Sequence, residues 1–453
     1  MKAKAVIYNL TTAILIKLKE KNIQISMVII TLVMTILRFL LNEKGRVTPD
    51  GIRFMRSAHV FPDIDNTITP FGYILSIKFF TLFGLDEFWS SKLVGIFSFL
   101  SIIFIAKKAN FYFREAVLTC SLFGFVSIFA ATFSETLTLL SVFILIFVSE
   151  QVLKSKWNSK KEIIYLSLSL ILIFNIRYSA LFIIGGTGLL GLLSLRKKYG
   201  KSFLLAAVIA GMYIICYKLL FIDIFNKNYV NESLEMGLKP TIQLLTEFYQ
   251  GLTTSFNPFV HIANPGGGII NWGIYGIGFL NILLLIFFLF RKKLSDIEKY
   301  MLFIGVSGII CSFLIQYFYS ADALGYRLLA PFTFPIWLIY FKRLFENFGL
   351  KVYLIGVMSL CTGFAFTILS KGNYLENRKQ ISTYLKKEKL DKVPLIFYIN
   401  DMDDLEKVQI SELIGTVNSN IYITSQPKDT LKKTTLTPYK VLQKIKIDKN
   451  KYQ

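Results

Sequence analysis

An unusual concentration of ionisable side chains follows the first apolar run of the sequence. The stretch TPDGIRFMRSAHVFPDID, residues 48–65, contains three aspartates, two arginines and a histidine. Asp50 lies inside a Pro-Asp-Gly tripeptide, which can present a carboxylate from a rigid bend. If a helix begins directly after Asp50, then Arg53 and Arg56 share one of its faces. A carboxylate beside guanidinium groups can act as a general base while the arginines bind an anion, although the same spacing is also typical of a solvated surface pair.

Charged residues also stand beside or within apolar runs elsewhere in the chain. Arg177 lies within FNIRYSALF. A charge at the centre of a membrane span costs at least about 2.5 to 3.5 kcal/mol, so we expect Arg177 to face a partner or a polar cavity, with a snorkelling arginine as the alternative. Glu135 separates two apolar runs and could pair with Arg177, coordinate a cation or end a helix. Tyr326 and Arg327 stand together at the start of a late apolar run.

His261 belongs to the segment NPFVHIANPGGGIINWG, in which two prolines and three consecutive glycines argue against a regular helix. Such a segment could form a lid or a sugar platform beside an active site, or it could be an ordinary linker. The chain has two histidines without HxxxH spacing, so we predict neither a metal site nor another cofactor. If a divalent cation does bind, its oxygen ligands would come from the acidic residues Asp50, Asp63, Asp65 and Glu135.

The composition places all of these residues in a membrane protein. With 54% hydrophobic residues and a mean hydropathy of +0.53, the 453-residue chain has more apolar surface than a soluble fold of this length could bury. The net charge of +22 would suggest nucleic acid binding in a soluble domain. Here the basic residues alternate with apolar runs, so we interpret them as topology signals and expect no nucleic acid partner. The four cysteines lie in apolar runs without CxxC spacing, which supports neither disulfides nor structural zinc.

Eleven apolar runs are candidate membrane spans, since a span needs about 20 apolar residues to cross about 30 Å of hydrocarbon. They are residues 23–41, 89–106, 116–133, 136–153, 162–176, 179–195, 202–221, 273–290, 299–317, 328–341 and 351–370. The runs around Glu135 and Arg177 are short enough for the count to change by one or two. Residues 1–22 are predicted as a cytoplasmic or interfacial amphipathic helix, with a cleaved signal peptide as the alternative.

Clusters of lysine and arginine follow every second predicted span, as expected of cytoplasmic loops. The first loop (42–88), the region of Glu135, the large loop (222–272) and residues 319–327 then all face outward. We expect amphipathic helices along the membrane surface in the first loop. An odd number of spans also places residues 371–453 outside; the many lysines of this tail favour the cytoplasm as the alternative, but a segment this long can translocate regardless of charge. In this tail VPLIFYIN, DDLEKVQISELIG and NIYITSQ predict strand, helix and strand, which indicates a small C-terminal α/β domain.

Four local motifs in this order resemble those of the GT-C superfamily of membrane glycosyltransferases, most closely the branch with protein mannosyltransferases and the aminoarabinose transferase of lipid A. PDGIRF (49–54) is similar to the acidic motif of the first loop, and WSSKLVGIFSFLSIIFIAKK (89–108) to the second span of the family. FSETL (133–137) is similar to an acid-Thr-Leu element of a later span, and YRLLAP (326–331) to the Arg/Tyr-rich entry of a late span. The resemblance covers about residues 24–345. It implies an all-α polytopic fold with a catalytic domain over residues 23–370.

The resemblance further implies an inverting transfer of a sugar from a polyprenyl phosphate to an acceptor hydroxyl on the outer face. The attacking hydroxyl must lose a proton, so Asp50 is the candidate base, and Glu135 is the second candidate catalytic residue. Binding of the lipid phosphate requires cationic groups. The candidates for binding phosphate and sugar are Arg53, Arg56, Arg177, Arg327, Tyr326 and His261. The chain departs from the family where many relatives have a Lys-Pro-Pro element, because ITPFGYI has Pro70 without an adjacent lysine.

The expected partners are a polyprenyl-phosphate-sugar donor, membrane lipid, and a glycan, lipid or protein as acceptor. The expected location is a plasma membrane, such as a bacterial inner membrane, with the active site on the outer side. One alternative is a polymerase or ligase of lipid-linked surface glycans, which would place its signature residues in a large late loop. Another is a transporter or flippase, which would have charges within spans and two related halves. The acidic motif instead follows the first span directly, and the sequence has no matching halves.

Overall fold

The apolar runs of the sequence form helices in the computed structural model, which describes residues 2–41, 49–64, 69–225, 240–262, 267–319, 323–400 and 405–444. We number the elements in chain order. The helices up to the large loop are α1 (Lys2–Leu41), α2 (Pro49–Val60), α3 (Phe71–Thr81), α4 (Glu87–Ala109), α5 (Phe113–Cys120), α6 (Phe123–Ala130), α7 (Glu135–Leu153), α8 (Ser159–Ile176), α9 (Ala180–Leu193) and α10 (Gly200–Tyr217). The later helices are α11 (Thr241–Ser255), α12 (Ile269–Arg291), α13 (Asp296–Phe318), α14 (Tyr326–Phe348), α15 (Tyr353–Leu369), α16 (Tyr374–Lys387), α17 (Leu405–Gly415) and α18 (Pro438–Lys444).

Within the described ranges, seven helical stretches are long and apolar enough to cross a membrane, or eight if the bent pair α5 and α6 forms one span. Each of the eleven predicted spans coincides with a helix or with this pair. Helix α9, however, has only 14 residues, fewer than the roughly 20 that a perpendicular span needs. The all-α polytopic class is therefore confirmed, and the count of eleven spans stays a prediction.

The predicted span 116–133 is wrong as one continuous helix, because α5 and α6 meet at an angle of 73°. At the break, Leu122 is extended with ψ 136°, and the N–H of Phe123 donates to Ser359 Oγ at 2.8 Å. The hydroxyls of Thr31 and Ser121 are also hydrogen-bonded, at 2.9 Å. Backbone groups left without a helical partner in an apolar layer must be satisfied by other protein groups. Side chains from α1 and α15 therefore stabilise the bend, which directs α6 toward the start of α7.

A close approach of α4 and α6 places the start of α7 next to the first loop. At Gly95 of α4, a Cβ atom would lie 2.0 Å from the carbonyl oxygen of Phe129, so only glycine allows this contact. Helix α6 then ends at Ala130, and Ala131 continues with an extended backbone. The consequence is a short segment, residues 131–134, that passes beside α4 and leads into Glu135.

Helix α14 runs through the core from one end of the helical bundle to the other. Arg327 lies at its first turn, and Arg343 lies about 24 Å further along, at 1.5 Å per residue. Near that second end, Arg343 Nη2 is 2.7 Å from Glu298 Oε2 and Lys342 Nζ is 2.8 Å from Glu298 Oε1. The basic residues that are predicted to be cytoplasmic on α14 therefore lie at the end opposite to Arg327.

The large loop differs from the sequence prediction, because residues 241–255 of it form α11 and the next span begins at Ile269 rather than at 273. Residues 257–262 lack helical structure, as the prolines and glycines predict. Their backbone is held by side chains of α15: Ser359 Oγ donates to the carbonyl oxygen of Pro258 at 2.5 Å, and Thr362 Oγ1 to that of Phe259 at 2.8 Å. This part of the loop is thus fixed against the bundle.

The predicted C-terminal α/β domain is present. Its three-stranded parallel sheet has the order β2-β1-β3, with β1 (Leu395–Tyr398), β2 (Ile421–Thr424) and β3 (Thr435–Leu436). Helix α17 connects β1 to β2, as the strand-helix-strand pattern predicts, and β3 is a strand that the sequence does not predict. The core of this domain includes Ile52 and Met55 of α2 and Phe88 of α4. The domain therefore packs on the first loop and lies at the same end of the bundle as Arg327.

Candidate active site

Helix α2 carries the acidic motif at its N-terminus. It begins at Pro49, so Asp50 lies in its first turn, where the helix dipole stabilises a carboxylate. Arg53 follows one turn later, and its Nη1 is 3.6 Å from Asp50 Oδ1. The Asp50 side chain is 43% exposed. The carboxylate is thus held beside a guanidinium but stays open to a ligand.

Glu135 lies at the centre of the charged cluster, between two arginines. Arg177 Nη1 lies 2.7 Å from Glu135 Oε1, and Arg327 Nε lies 3.1 Å from the same oxygen. Ser134 Oγ donates to the other oxygen, Oε2, at 3.3 Å. The Glu135 side chain is 3% exposed. A carboxylate that is this enclosed, with two cations on one oxygen, is suited to orienting the arginines.

Arg327 joins the two carboxylates. Its Nη2 is 3.3 Å from Asp50 Oδ2 while its Nε contacts Glu135. The guanidinium also lies over the ring of Phe133, 4.7 Å from the ring centroid. This cation–π contact and the two ion pairs fix the plane of the guanidinium. The structure therefore brings together five of the predicted residues, which are Asp50, Arg53, Glu135, Arg177 and Arg327.

The charges in this cluster do not balance. Three guanidinium groups, from Arg53, Arg177 and Arg327, face two carboxylates, from Asp50 and Glu135. The half-exposed members are Asp50 and Arg53, whose side chains are 43% and 35% exposed. An anion that approaches from the open side therefore meets an excess of positive charge beside an accessible carboxylate.

Tyr73 of α3 forms an apolar wall beside the cluster. Its side chain is fully buried and its ring packs edge-on against Phe54 at 4.9 Å between centroids. Burial, and after it the negative charge of Glu135, raises the pKa of the Tyr73 phenol above its usual range. Tyr73 is therefore a neutral neighbour of Glu135, and sequence analysis did not single it out.

The structure does not bring Arg56 to this cluster. Its guanidinium Nη1 donates to Asn420 Oδ1 at 3.0 Å, and its Cζ lies 3.2 Å from the ring centroid of Tyr422. The expectation that Arg53 and Arg56 work from one helix face is thus wrong. The partners of Arg56 lie in the C-terminal domain, 364 positions later in the case of Asn420, and local spacing contains no information about them.

The rings of Tyr326, His261 and Phe123 pack against one another next to Arg327. The ring centroids of Tyr326 and His261 are 3.9 Å apart, and the His261 ring is 4.8 Å from that of Phe123. The guanidinium of Arg38 of α1 lies over the Phe123 ring, 4.5 Å from its centroid. Burial, assisted by the charge of Arg38, lowers the pKa of the His261 imidazole well below its usual range. His261 is therefore a neutral ring that packs against Tyr326.

A buried lysine lies close to the charged cluster. The sequence analysis included this residue only as part of a longer motif. Lys92 of α4 is 1% exposed. Its Nζ donates to Thr132 Oγ1 at 3.0 Å, and Ser91 Oγ is 2.8 Å from the same hydroxyl. Thr132 directly precedes Phe133, whose ring makes the cation–π contact with the Arg327 guanidinium. The signal was present in the sequence as a basic residue one turn inside an apolar span, which normally has a polar partner.

The remaining acidic candidates take no part in the cluster as described. Asp63 is exposed, and Asp65 lies outside the described residues. Among the described residues, no group of three or more His, Cys, Asp or Glu side chains is arranged to hold a metal ion. Asp50 and Glu135, the two acidic candidates in the cluster, face guanidinium groups.

No protein-family model matches the chain, and no curated protein matches it in sequence. The fold is nevertheless the GT-C fold, as the sequence motifs predict. A crystal structure of ArnT from Cupriavidus metallidurans bound to undecaprenyl phosphate is similar over 88% of this chain and 86% of that chain, with a TM-score of 0.55 and 13% identity. At this identity the likeness is one of fold.

Two further structures match over a similar part of this chain. An oligosaccharyltransferase of Archaeoglobus fulgidus, tethered to an acceptor peptide, matches with a TM-score of 0.47 and 11% identity, over 89% of this chain and 64% of that chain. ArnT of Cupriavidus metallidurans in the apo state matches with a TM-score of 0.45 and 12% identity, over 88% and 86%.

Proposed function

We propose that this protein is a glycosyltransferase that moves a sugar from a polyprenyl-phosphate-linked donor to an acceptor hydroxyl, with inversion. The observation that carries the proposal is the contact of Arg327 with Asp50 and Glu135 at once, in a cluster whose Asp50 carboxylate is accessible. The reaction requires a carboxylate base and cations for a phosphate leaving group within one site. The GT-C fold and the undecaprenyl phosphate bound to ArnT support a lipid-linked donor.

The roles follow from exposure and contacts. Asp50 accepts the proton of the acceptor hydroxyl, whose oxygen attacks the anomeric carbon from the side opposite to the phosphate. The bond between that carbon and the phosphate oxygen breaks, and the polyprenyl phosphate leaves with one more negative charge. Arg53 and Arg327 stabilise this charge, because both border the accessible side of Asp50.

Glu135 and Arg177 support this arrangement from within. Glu135 is almost fully enclosed and orients Arg327 and Arg177 rather than reaching a substrate. The N–H of Arg177 Nε also donates to Ser179 Oγ at 2.9 Å, which holds its guanidinium at the end of α8. Tyr326 directly precedes Arg327 and packs against the His261 ring, so these two residues support the first turn of α14. We assign substrate contact to Asp50, Arg53 and Arg327, and positioning to the others.

The proposed setting is the outer face of a plasma membrane, with a glycan, a lipid or a protein as the acceptor. The charged cluster lies at the end of the bundle opposite to the basic residues Lys342 and Arg343, which favours this orientation. The two alternatives of the sequence analysis are a polymerase or ligase of lipid-linked glycans and a flippase. The position of the acid motif on α2, directly after the first span, favours the transferase over both.

The deciding experiment compares the wild type with Asp50→Asn in membranes supplied with radiolabelled polyprenyl-phosphate sugars. A general base contributes about 10²- to 10⁴-fold, so we expect a loss of transfer of that size in the variant. Asp63→Asn is the matched control, because Asp63 is an exposed aspartate of the same loop. No transfer by the wild type from any lipid-linked donor would refute the enzyme, and full activity of Asp50→Asn would remove Asp50 as the base.

A further inference from the structure

Helix α2 packs on its surroundings with three faces. The spacing of three or four residues within each face is that of a helix. One face carries Asp50 and Arg53 toward Arg327; a second carries Phe54 and Ala58 against α3; the third carries Ile52, Met55 and Arg56 against the C-terminal domain. The positions of Asp50 and Arg53 therefore depend on the contacts that the other two faces of α2 make with α3 and with the C-terminal domain.

The polar contact on the third face is made by Arg56. It is 7% exposed, donates to Asn420 at 3.0 Å and lies over the ring of Tyr422 at 3.2 Å. Asn420 directly precedes β2 and Tyr422 lies within it, and β2 pairs with β1 in the sheet. Arg56 thus connects the helix of the acid motif directly to the sheet of the C-terminal domain.

The apolar contact on the same face is close. A Cβ atom at Gly415, the last residue of α17, would lie 3.2 Å from Cγ2 of Ile52. Glycine at this position therefore allows the end of α17 to approach the side of α2 that carries Ile52.

The domain is also joined to the start of α4. Arg378 of α16 forms an ion pair with Asp86, the N-cap residue of α4, and donates to the carbonyl oxygen of Thr416 at 2.9 Å. Ser419 Oγ donates to Glu87 Oε2 at 3.2 Å. The C-terminal domain therefore contacts both α2 and α4 and fixes their relative position. Helix α4 packs in turn on residues 131–134, the segment before Glu135.

We propose that the C-terminal domain positions the catalytic base: it holds α2 so that Asp50 faces Arg327, and Arg56 is the positioning residue. This inference rests on the proposed function, and it assigns a role to a domain that a glycosyl transfer does not by itself require. A base must lie within hydrogen-bond reach of the proton it takes, and a misplacement of about 1 Å can cost 10²-fold in rate. Loss of the Arg56 contacts should therefore reduce kcat more than it raises KM, because Arg327 of α14 still binds the donor phosphate while Asp50 and Arg53 move with α2.

The first test measures transfer kinetics and amide hydrogen exchange in full-length Arg56→Ala, Arg56→Lys and wild-type protein. We expect Arg56→Ala to lower kcat by about 10- to 10²-fold, to raise KM by a smaller factor, and to speed exchange in residues 49–60. Arg56→Lys keeps the charge but loses the planar group that stacks on Tyr422, so it should be intermediate. Tyr439→Ala, which removes an exposed aromatic residue of the same domain, is the matched control and should behave as the wild type.

The second test restores the position of α2 by another route. Ile52→Cys with Gly415→Cys places two thiols within reach of a disulfide, since the γ carbon of Ile52 already lies 3.2 Å from a Cβ at 415. In the Arg56→Ala background, oxidation should restore most of the lost kcat and the protection of α2, and reduction should remove both. A variant with only one of the two introduced cysteines should show no response to oxidation.

The outcomes separate this inference from the proposed function. Absence of transfer by the wild type would refute the function, while hydrogen exchange would still report whether Arg56 holds α2. Normal kcat and normal α2 protection in Arg56→Ala would overturn the inference. So would an oxidised Ile52→Cys/Gly415→Cys pair that protects α2 in Arg56→Ala without any recovery of kcat.

Discussion

Arg327 and Asp50, which are 277 positions apart in the chain, meet at 3.3 Å between Nη2 and Oδ2. The contact joins the first turn of α14 to the first turn of α2. Because Arg327 also reaches Glu135 through Nε, its guanidinium holds the accessible and the enclosed carboxylates at a fixed separation. This geometry needs the planar fork of arginine, which presents donors in several directions at once.

Replacement of Arg327 by lysine should therefore impair the enzyme although the charge is kept. A lysine ammonium is a point charge that cannot contact both carboxylates and a phosphate in the same geometry. We expect kcat to fall by about 10²- to 10³-fold, the usual effect of losing one stabilising donor of a developing charge. Arg291→Lys, an exposed arginine at the end of α12, serves as the control in the same transfer assay. Equal activity of both variants would show that Arg327 contributes charge alone.

Replacement of Glu135 by glutamine should reduce stability as well as activity. It leaves Arg177 and Arg327 without their shared carboxylate, and breaking a buried pair in this way costs about 3 to 5 kcal/mol. Glu150→Gln on the same helix removes a pair with Lys154, whose side chain is 55% exposed, and should cost about 0 to 1 kcal/mol. Thermal unfolding in detergent measures both. Similar Tm values for the two variants would contradict a structural role for Glu135.

Much of this site could be predicted because charged residues are rare beside or within apolar runs. Asp50, Arg53, Glu135, Arg177 and Arg327 are charges beside or within apolar runs, where a charge needs a partner. The alternation of basic loops then places these residues at one end of the bundle, and the structure brings them into one cluster. Their individual roles stay predictions.

The features that the sequence did not reveal depend on contacts between distant parts of the chain. The break between α5 and α6 is stabilised by Ser359, 236 positions after Phe123. The contact of Arg56 with Asn420 depends on where the C-terminal domain docks. Neither has a local signal, because the hydrophobic pattern specifies which face of a helix is buried but not which element covers it.

Thr132→Val tests whether the buried Lys92 positions the segment before Glu135. The valine has nearly the same shape but removes the hydroxyl that Lys92 Nζ contacts at 3.0 Å, which should cost about 1 to 3 kcal/mol. A shift of Phe133 and Glu135 should also lower kcat. Thr246→Val on α11 is the control, because Thr246 is exposed and its hydroxyl donates to the Ile242 carbonyl oxygen of the same helix. An unchanged Tm in Thr132→Val would show that the Lys92–Thr132 contact does not stabilise the segment.

Transfer should continue in the presence of a chelator. The described carboxylates of the cluster, Asp50 and Glu135, are paired with guanidinium groups, and those groups supply the charge that a divalent cation would otherwise bring to the phosphate. We expect wild-type activity in EDTA to equal that in buffer alone. A loss that Mg²⁺ or Mn²⁺ reverses would assign a cation to the reaction and would call for ligands beyond these two residues.

Stability should fall as the pH is lowered, through the buried ring of His261. Its pKa in the folded protein is well below the usual range because of burial and the charge of Arg38. The unfolded chain therefore takes up a proton below about pH 6.5 that the folded protein does not, and stability decreases by up to roughly 1.4 kcal/mol per pH unit. His261→Phe keeps a ring against Tyr326 and removes the titration, so its Tm should fall less between pH 7 and pH 5.5 than that of the wild type. The wild-type slope in His261→Phe would rule out His261 as its source.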